Sequence, residues 1–320
     1  MARIVSLGSA LQDIYIVDHD DMAPTTIGDT AIFGKVLVGS KVDIDRISYE
    51  VGGGGVNSAI TFARNGHEAV FMGNISRDPA GTAIVKALDR EGIDTSYVNF
   101  LERKTTGTSI VLLDSKSGER TILTCRGASE QFGNFSEKDL DLISPDWLYV
   151  TTLRGDMDTL KRFFKYAHNK GIKIMFNPGV RELENPREVL RLLEYVDVLN
   201  VNKSEAAKLV PGAMLIEFLY HLAGYVNTII ITDGGMGGIA GNGPEIYQFG
   251  IYEDVKMKDA TGAGDAFGSG FLAKFAAGRS FRSSLVFASA NATSVITKLG
   301  ANSGILTGHE DLHPMPMQKL

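Results

Sequence analysis

The chain has 320 residues, 44% of them hydrophobic, with a net charge of −6 and one cysteine, Cys125. That length and apolar content suit one large α/β domain with an appendage, and the acidic balance excludes a broad basic face for nucleic acid. A single cysteine permits no internal disulfide and fits a reducing, cytoplasmic setting, while no run reaches the roughly 18 apolar residues of a membrane-spanning helix.

The first expected strand is RIVSLGS at 3–9; Asp13 and Asp18 follow too soon for a signal peptide. Residues 14–51 read as strands (IYIVD, AIFGKVLV, DIDRISYEV) with no helix among them. VGGGGVN at 51–57 runs into a helix over 57–65 that Gly66 ends, and AVFMGN at 69–74 is the next strand. Asp78-Pro79 opens a helix that Gly92 closes, a capping residue before proline at the first helical position. Residues 107–125 form a hairpin pattern, GTSIVLLD, KSG and ERTILTC. Strands follow at 147–152, 172–177, 196–202 and 227–233, with a helix opened by Asn185-Pro186 between the second and third. The last clear helix, 265–277, stacks Phe267, Phe271 and Phe275 on one stripe.

Apart from the two regions 14–51 and 107–125, the strands are short, β-branched and continuously apolar, as buried parallel strands are. Strands alternating with helices predict a three-layer, mostly parallel α/β sheet with helices on both faces. The two interrupting regions predict a small second sheet projecting from the same domain, which spans 1–320 without a linker or repeat.

The stretch DATGAGDAFGSGF at 259–271 carries the sharpest chemistry. Glycine inside a helix is unfavourable by about 1 kcal/mol relative to alanine, yet Gly262, Ala263 and Gly264 can turn several N–H groups toward one anion at a helix start. Asp265 beside that anion suits a catalyst that takes a proton from an attacking hydroxyl. The glycines of VGGGGVN allow a ligand to touch backbone, and Asn57 both donates and accepts, as sugar hydroxyls require. Asp13 follows the first strand, at the sheet end where open α/β sheets bind ligands. In NVNKSE at 200–205, Asn202 and Glu205 either hold a hydrated Mg²⁺ or form a capping box. TDGGMGG at 232–238 is either a hairpin turn or a seat for a nucleotide. HEDLH at 309–313 is followed at once by Pro314 and Pro316, which argues against a zinc helix. The glycine spacing of GAGDAFG is wrong for a dinucleotide fingerprint, and the only Gly-Lys pair, Gly34-Lys35, precedes valine, so a Walker A loop is absent.

DATGAGD at 259–265 resembles the second signature of the ribokinase-like (PfkB) carbohydrate kinase family, and GGGGVN at 52–57 its glycine-rich first signature. NKSE at 202–205 is similar to the family's Asn-x-x-Glu motif, and TDGGMGG to its nucleotide-binding turn. The resemblance spans nearly the whole chain and implies a β lid, ATP, Mg²⁺ and phosphorylation of a sugar or nucleoside hydroxyl. It implies Asp265 as general base, with the Gly262, Ala263 and Gly264 amides stabilising the transferring phosphoryl group. Asp13, Gly53, Gly54, Asn57 and Arg126 would face the acceptor, and Asn202 and Glu205 would organise Mg²⁺ through water. Thr232, Gly234 and Gly237 would flank the nucleotide, with Asn291 near the adenine. Asp259, Thr261 and Ser303 match where several relatives hold a monovalent cation such as K⁺. Departures from the pattern argue against ribose itself: Gly54 stands where true ribokinases carry lysine, Gly127-Ala128-Ser129 preceded by Arg126 replaces Gly-Ala-Asn, and Thr152-Leu153-Arg154 occupies the region of an acidic sugar contact. A nucleoside kinase would need an aromatic slot, for which Tyr15, Phe33 and Tyr49 are candidates. A sensor without catalysis is the further alternative, against which Asp265 stands. Apolar lid residues Ile32, Val36, Val38, Ile110 and Leu112 predict a homodimer formed lid to lid.

Overall fold

The computed structural model describes residues 1–17, 24–27, 31–34, 39, 41, 43, 44, 46–113, 120–253 and 255–320, with backbone alone for 17, 24–27, 31–34 and 120. Its strands are β1 (Arg3–Leu7), β2 (Leu11–Val17), β3 (Pro24–Ile27), β4 (Ala31–Gly34), β5 (Ile47–Gly52), β6 (Glu68–Ile75), β7 (Val98–Phe100) and β8 (Gly107–Leu113). They continue with β9 (Arg120–Cys125), β10 (Trp147–Val150), β11 (Lys173–Phe176), β12 (Val198–Asn202), β13 (Thr228–Thr232), β14 (Gly238–Asn242), β15 (Glu245–Phe249) and β16 (Met317–Lys319). The helices are α1 (Gly54–Arg64), α2 (Pro79–Arg90), α3 (Asp139–Ile143), α4 (Met157–Asn169), α5 (Pro186–Leu192), α6 (Lys203–Leu209), α7 (Leu215–Leu222), α8 (Ala263–Ala276) and α9 (Phe281–Ile296).

Ten strands form one sheet in the order β16-β15-β14-β13-β12-β11-β10-β1-β6-β7. The six continuous apolar runs of the sequence are β1, β6, β10, β11, β12 and β13, and all pair in parallel. Burial on both faces is what such runs encode: Ile4, Val5 and Leu7 are all fully buried. The edge β14-β15-β16 is antiparallel and was not expected. Gly238, Gly241 and Asn242 give β14 little strand propensity; pairing against β13 overrides it. TDGGMGG is the turn between β13 and β14, so its hairpin reading holds.

Regions 14–51 and 107–125 do join in a second sheet, of order β5-β2-β8-β9, while β3 and β4 pair with each other alone. Only Gly8–Ala10 separate β1 from β2, so the small sheet rises directly from the carboxyl end of the large one. The helix expected from residue 57 begins earlier, at Gly54, because Gly53 at φ 95 turns the chain out of β5. Asp78 caps α2 by accepting from the Gly81 amide at 2.8 Å, as its place before proline predicts.

The core lies on both faces of the large sheet. One side packs Phe62 and Ile84 of α1 and α2 with Phe267, Phe271 and Leu285 of α8 and α9. The other packs Leu160, Phe163 and Phe164 of α4 with Phe218 and Leu222 of α7. Each such side chain contributes about 1.5–3 kcal/mol on burial. Among the described residues, no helix is long and apolar enough to cross a membrane.

Candidate active site

The first turn of α8 sits between two hollows. Gly262 precedes it at φ 80, where a side chain would also come within 2.6 Å of the Ala301 methyl; backbone strain and space both require glycine. The amides of Gly264 and Asp265 meet no acceptor among the described residues, as the first turn of any helix leaves them. The Asp265 carboxylate accepts from Asn57 Nδ2 at 2.9 Å, so α1 and α8 meet through this pair across 208 residues of sequence. Burial pushes the Asp265 carboxyl above its ordinary value, and the Asn57 amide opposes the rise. Asn57 is itself buried, with Asn302 Nδ2 donating to Val51 O at 2.6 Å beside it.

On one side of the turn lies a cavity of about 300 Å³. Thr261, Gly262 and Asp265 form one wall, and Asp13, Gly53, Gly54, Asn57, Arg126 and Glu205 all line it. Asp13 is buried under the small sheet and pushed up to about 6, chiefly by that burial; the Ser109 hydroxyl and Arg126 oppose it, while Asp259 and Glu50 add to it. Burial also lowers the Arg126 guanidinium, helped by nearby Arg154. Ser109, Thr124, Thr151 and Asn177 line the cavity as well. Sequence reasoning missed these four, and no local signal marks them, since short polar residues at strand ends read as ordinary surface.

On the other side lies a groove of about 440 Å³. Thr232, Gly234 and Gly237 of the glycine turn line it together with Ala263 and Gly264. Its remaining walls are mostly apolar, with Phe249, Ile251, Val255, Met257, Phe267 and Ile296. Asn291 is not among them, although its neighbour Ala292 is. Asn291 is fully buried, donates to Ala266 O at 2.7 Å and accepts from the Leu306 amide at 2.9 Å, and so ties α9 to α8.

Asn202 and Glu205 do form the capping box: Asn202 Oδ1 accepts from the Glu205 amide at 2.9 Å and Glu205 Oε2 from the Asn202 amide at 2.8 Å. Glu205 nonetheless faces the cavity, and burial raises its carboxyl, with the Asp265 charge adding to the rise. Asn202 is exposed and lines neither hollow.

The expected cation set is corrected. Asp259 is fully buried. Its Oδ1 accepts from the Thr261 amide and hydroxyl at 2.9 and 2.6 Å, and its Oδ2 from the Tyr15 hydroxyl at 2.8 Å and the Gly300 amide at 3.2 Å. Ser303 is exposed. Protein donors surround both oxygens, so this set does not fit a K⁺ cage. Tyr15 of β2 thereby anchors the small sheet to the loop that starts α8. Tyr49 is 63% exposed, and neither it nor Tyr15 lines the cavity; the Phe33 side chain lies outside the described residues.

The sequence profile of the pfkB family of carbohydrate kinases matches residues 1–307. The chain belongs to that family. It is a ribokinase-like phosphotransferase with an alcohol group as acceptor. The kinase is 28% identical over 291 residues to the ribokinase of Haemophilus influenzae, covering 87% of this chain and 90% of that protein. It shares its fold with Arabidopsis thaliana ribokinase complexed with ribose and ATP, at TM-score 0.78 and 22% identity over 95% of this chain and 96% of that one. It does so equally with adenosine kinase from Sinorhizobium meliloti, at TM-score 0.79 and 20% identity over 96% and 97% of the two chains.

Proposed function

We propose that this kinase transfers the γ-phosphoryl group of ATP to a hydroxyl of a small sugar, with Asp265 accepting the hydroxyl proton. The observation that carries the reading is the position of Asp265 in the cavity wall, next to Gly264 in the groove wall, where the Gly264 and Asp265 amides meet no acceptor among the described residues. A raised carboxyl there lies closer to the operating pH, which favours a general base. The acceptor occupies the cavity, where Asp13 and Asn57 take its hydroxyls and the Gly53–Gly54 backbone lies against it. ATP occupies the groove, its base among the apolar walls and its phosphates passing Thr232, Gly234 and Gly237 toward the amides of Gly264 and Asp265. Glu205 fits a hydrated Mg²⁺, because its carboxylate already feels that of Asp265 across the cavity and a cation would relieve both. The ion would neutralise charge on the transferring phosphates. Asn202 serves by fixing Glu205. The small sheet acts as a lid whose β2 and β8 exclude water from the reaction.

The cavity's volume and polar walls favour a sugar over a nucleoside, since neither described aromatic candidate reaches it. ADP release measured over pentoses, hexoses, sugar phosphates and nucleosides tests the reading. Turnover with one class of sugar is expected. Turnover with nucleosides alone selects the alternative, and none with any acceptor contradicts the proposal.

We also propose a homodimer through the outer face of the lid. Of the residues expected there, Val36 and Val38 lie outside the described residues and Ile32 is described by its backbone only. Ile110 is exposed and Leu112 half-buried; Tyr49 and Leu123, 63% and 56% exposed, extend the same apolar face. Ile110 pairs directly with Leu123 and with Ile14, which pairs in turn with Tyr49. Light scattering should give twice the mass of one chain, and Leu123→Asp should halve it; a single-chain mass for the unaltered protein contradicts the dimer.

A further inference from the structure

Three guanidinium groups gather beside the acceptor cavity around one carboxylate. Arg154 Nε lies 3.1 Å from Glu130 Oε2 and Arg181 Nη2 lies 3.5 Å from Glu130 Oε1. Arg126, half-buried in the cavity wall, has no hydrogen bond or ion pair of its own among the described residues. A guanidinium drawn out of water without an acceptor is costly, and a second cation beside it raises the cost.

The arrangement is held in place from behind. Arg154 sits at φ 60, a left-handed conformation unusual for a residue with a side chain. The buried Glu182 fixes that turn, accepting from the amides of Leu153 at 2.8 Å, Gly155 at 2.9 Å and Gly179 at 2.9 Å, and from the Thr152 hydroxyl. Thr152 and Gly179 line the cavity, so Arg154 and Arg181 each stand two residues beyond a lining residue. Backbone strain kept by a dedicated buried network marks a position with a task.

Taking the kinase reading as its basis, we infer that the acceptor sugar carries an anionic group, a phosphate or a carboxylate, bound by Arg126 and reinforced by Arg154. Arg126 presents a planar fork that matches either group with two hydrogen bonds. Asp13 and Glu130 offset its charge through space, but a neutral sugar would leave the fork without a charged acceptor to bond, whereas an anion supplies the missing partner. Asp13 and Asn57 remain for the sugar's hydroxyls.

Calorimetric titration of the nucleotide-free protein with ribose, ribose 1-phosphate, ribose 5-phosphate and gluconate tests this without depending on turnover. At least one anionic probe should bind about tenfold or more tightly than ribose. The phosphate and gluconate arms tell which anion the site takes. Arg126→Gln should abolish the preference and Arg154→Gln should weaken it several-fold; the second variant serves if the first fails to fold. Ribose binding as tightly as all three anions, or a preference unchanged in a folded variant at either arginine, overturns the inference. Turnover of ribose equal to that of the anionic sugars would leave the kinase reading standing and this inference refuted. Preferential binding of an anion by a protein that releases ADP with no acceptor at all would leave the anion site standing and the kinase reading refuted.

Discussion

The cavity and the groove share the first turn of α8 but are built from opposite materials. The cavity gathers Asp13, Asn57, Glu205 and Asp265 from four separate elements and Arg126 from the residue after β9. The groove is mostly apolar side chains and glycine backbone, much of it from β15, the segment after it, α8 and α9. An acceptor told apart by its hydroxyls and charge needs many polar groups converging on one small volume. A nucleotide gripped by its flat base and its phosphates needs shape, exposed amides and room. On the proposed function the cavity sets which sugar reacts and the groove is the common part.

Closing the junction should have the largest effect. A Cβ at Gly264 meets nothing within 4 Å, so Gly264→Val leaves the fold intact but fills the space beside the free amides. Turnover should drop by about a hundredfold or more while the melting temperature stays within a few degrees; near-normal turnover would separate the two hollows functionally.

Ala292→Phe should crowd the groove alone, since Ala292 lines it and not the cavity. The KM for ATP should rise about tenfold with acceptor binding unchanged. Equal losses for both substrates would erase the distinction.

Asp13 sharpens the other side. Its carboxyl titrates at about 6 in the folded chain against an ordinary 3.8, so the folded chain holds more protons between those values. Its contribution to stability therefore falls as pH rises through that window, and above it the buried charge is a standing cost on the order of 3 kcal/mol. Asp13→Asn should melt several degrees higher than the unaltered protein at pH 8, the gain vanishing at pH 4, while acceptor binding weakens. An unchanged melting difference across that range would show that Asp13 is not held there against its own burial.

The smallest effect belongs to Tyr15→Phe. Loss of its hydrogen bond to Asp259 is worth about 1 kcal/mol and should slow turnover about fivefold with acceptor KM nearly unchanged. The unaltered protein should turn over equally in sodium and potassium; strong potassium activation would restore the cation reading.

How much of this was readable in the sequence divides along the same line. The parallel strands announced themselves because burial on both faces leaves a continuous apolar run, and the start of α8 because glycines at a helix door have few other uses. β14 was hidden by its glycines. Asn202 and Glu205 could not be resolved from spacing, since a capping box and a metal site put the same two residue types three apart; the fold forms the capping box and turns Glu205 alone toward the cavity. Tyr15 and Asp259 are 244 residues apart, and no local pattern links them. No local pattern marks Glu182, yet it is fully buried and holds the turn carrying Arg154.

The role proposed for Asp265 is to take the proton during transfer across the α8 turn. Asp265→Asn tests it with two readings on one protein, ADP release with the active acceptor and equilibrium binding of ATP. The amide is nearly the same shape and can still meet Asn57, but it cannot accept the hydroxyl proton. Turnover should fall by about a hundredfold or more with ATP affinity within a few-fold of normal. Turnover above a tenth of the unaltered rate, with binding intact, would contradict it.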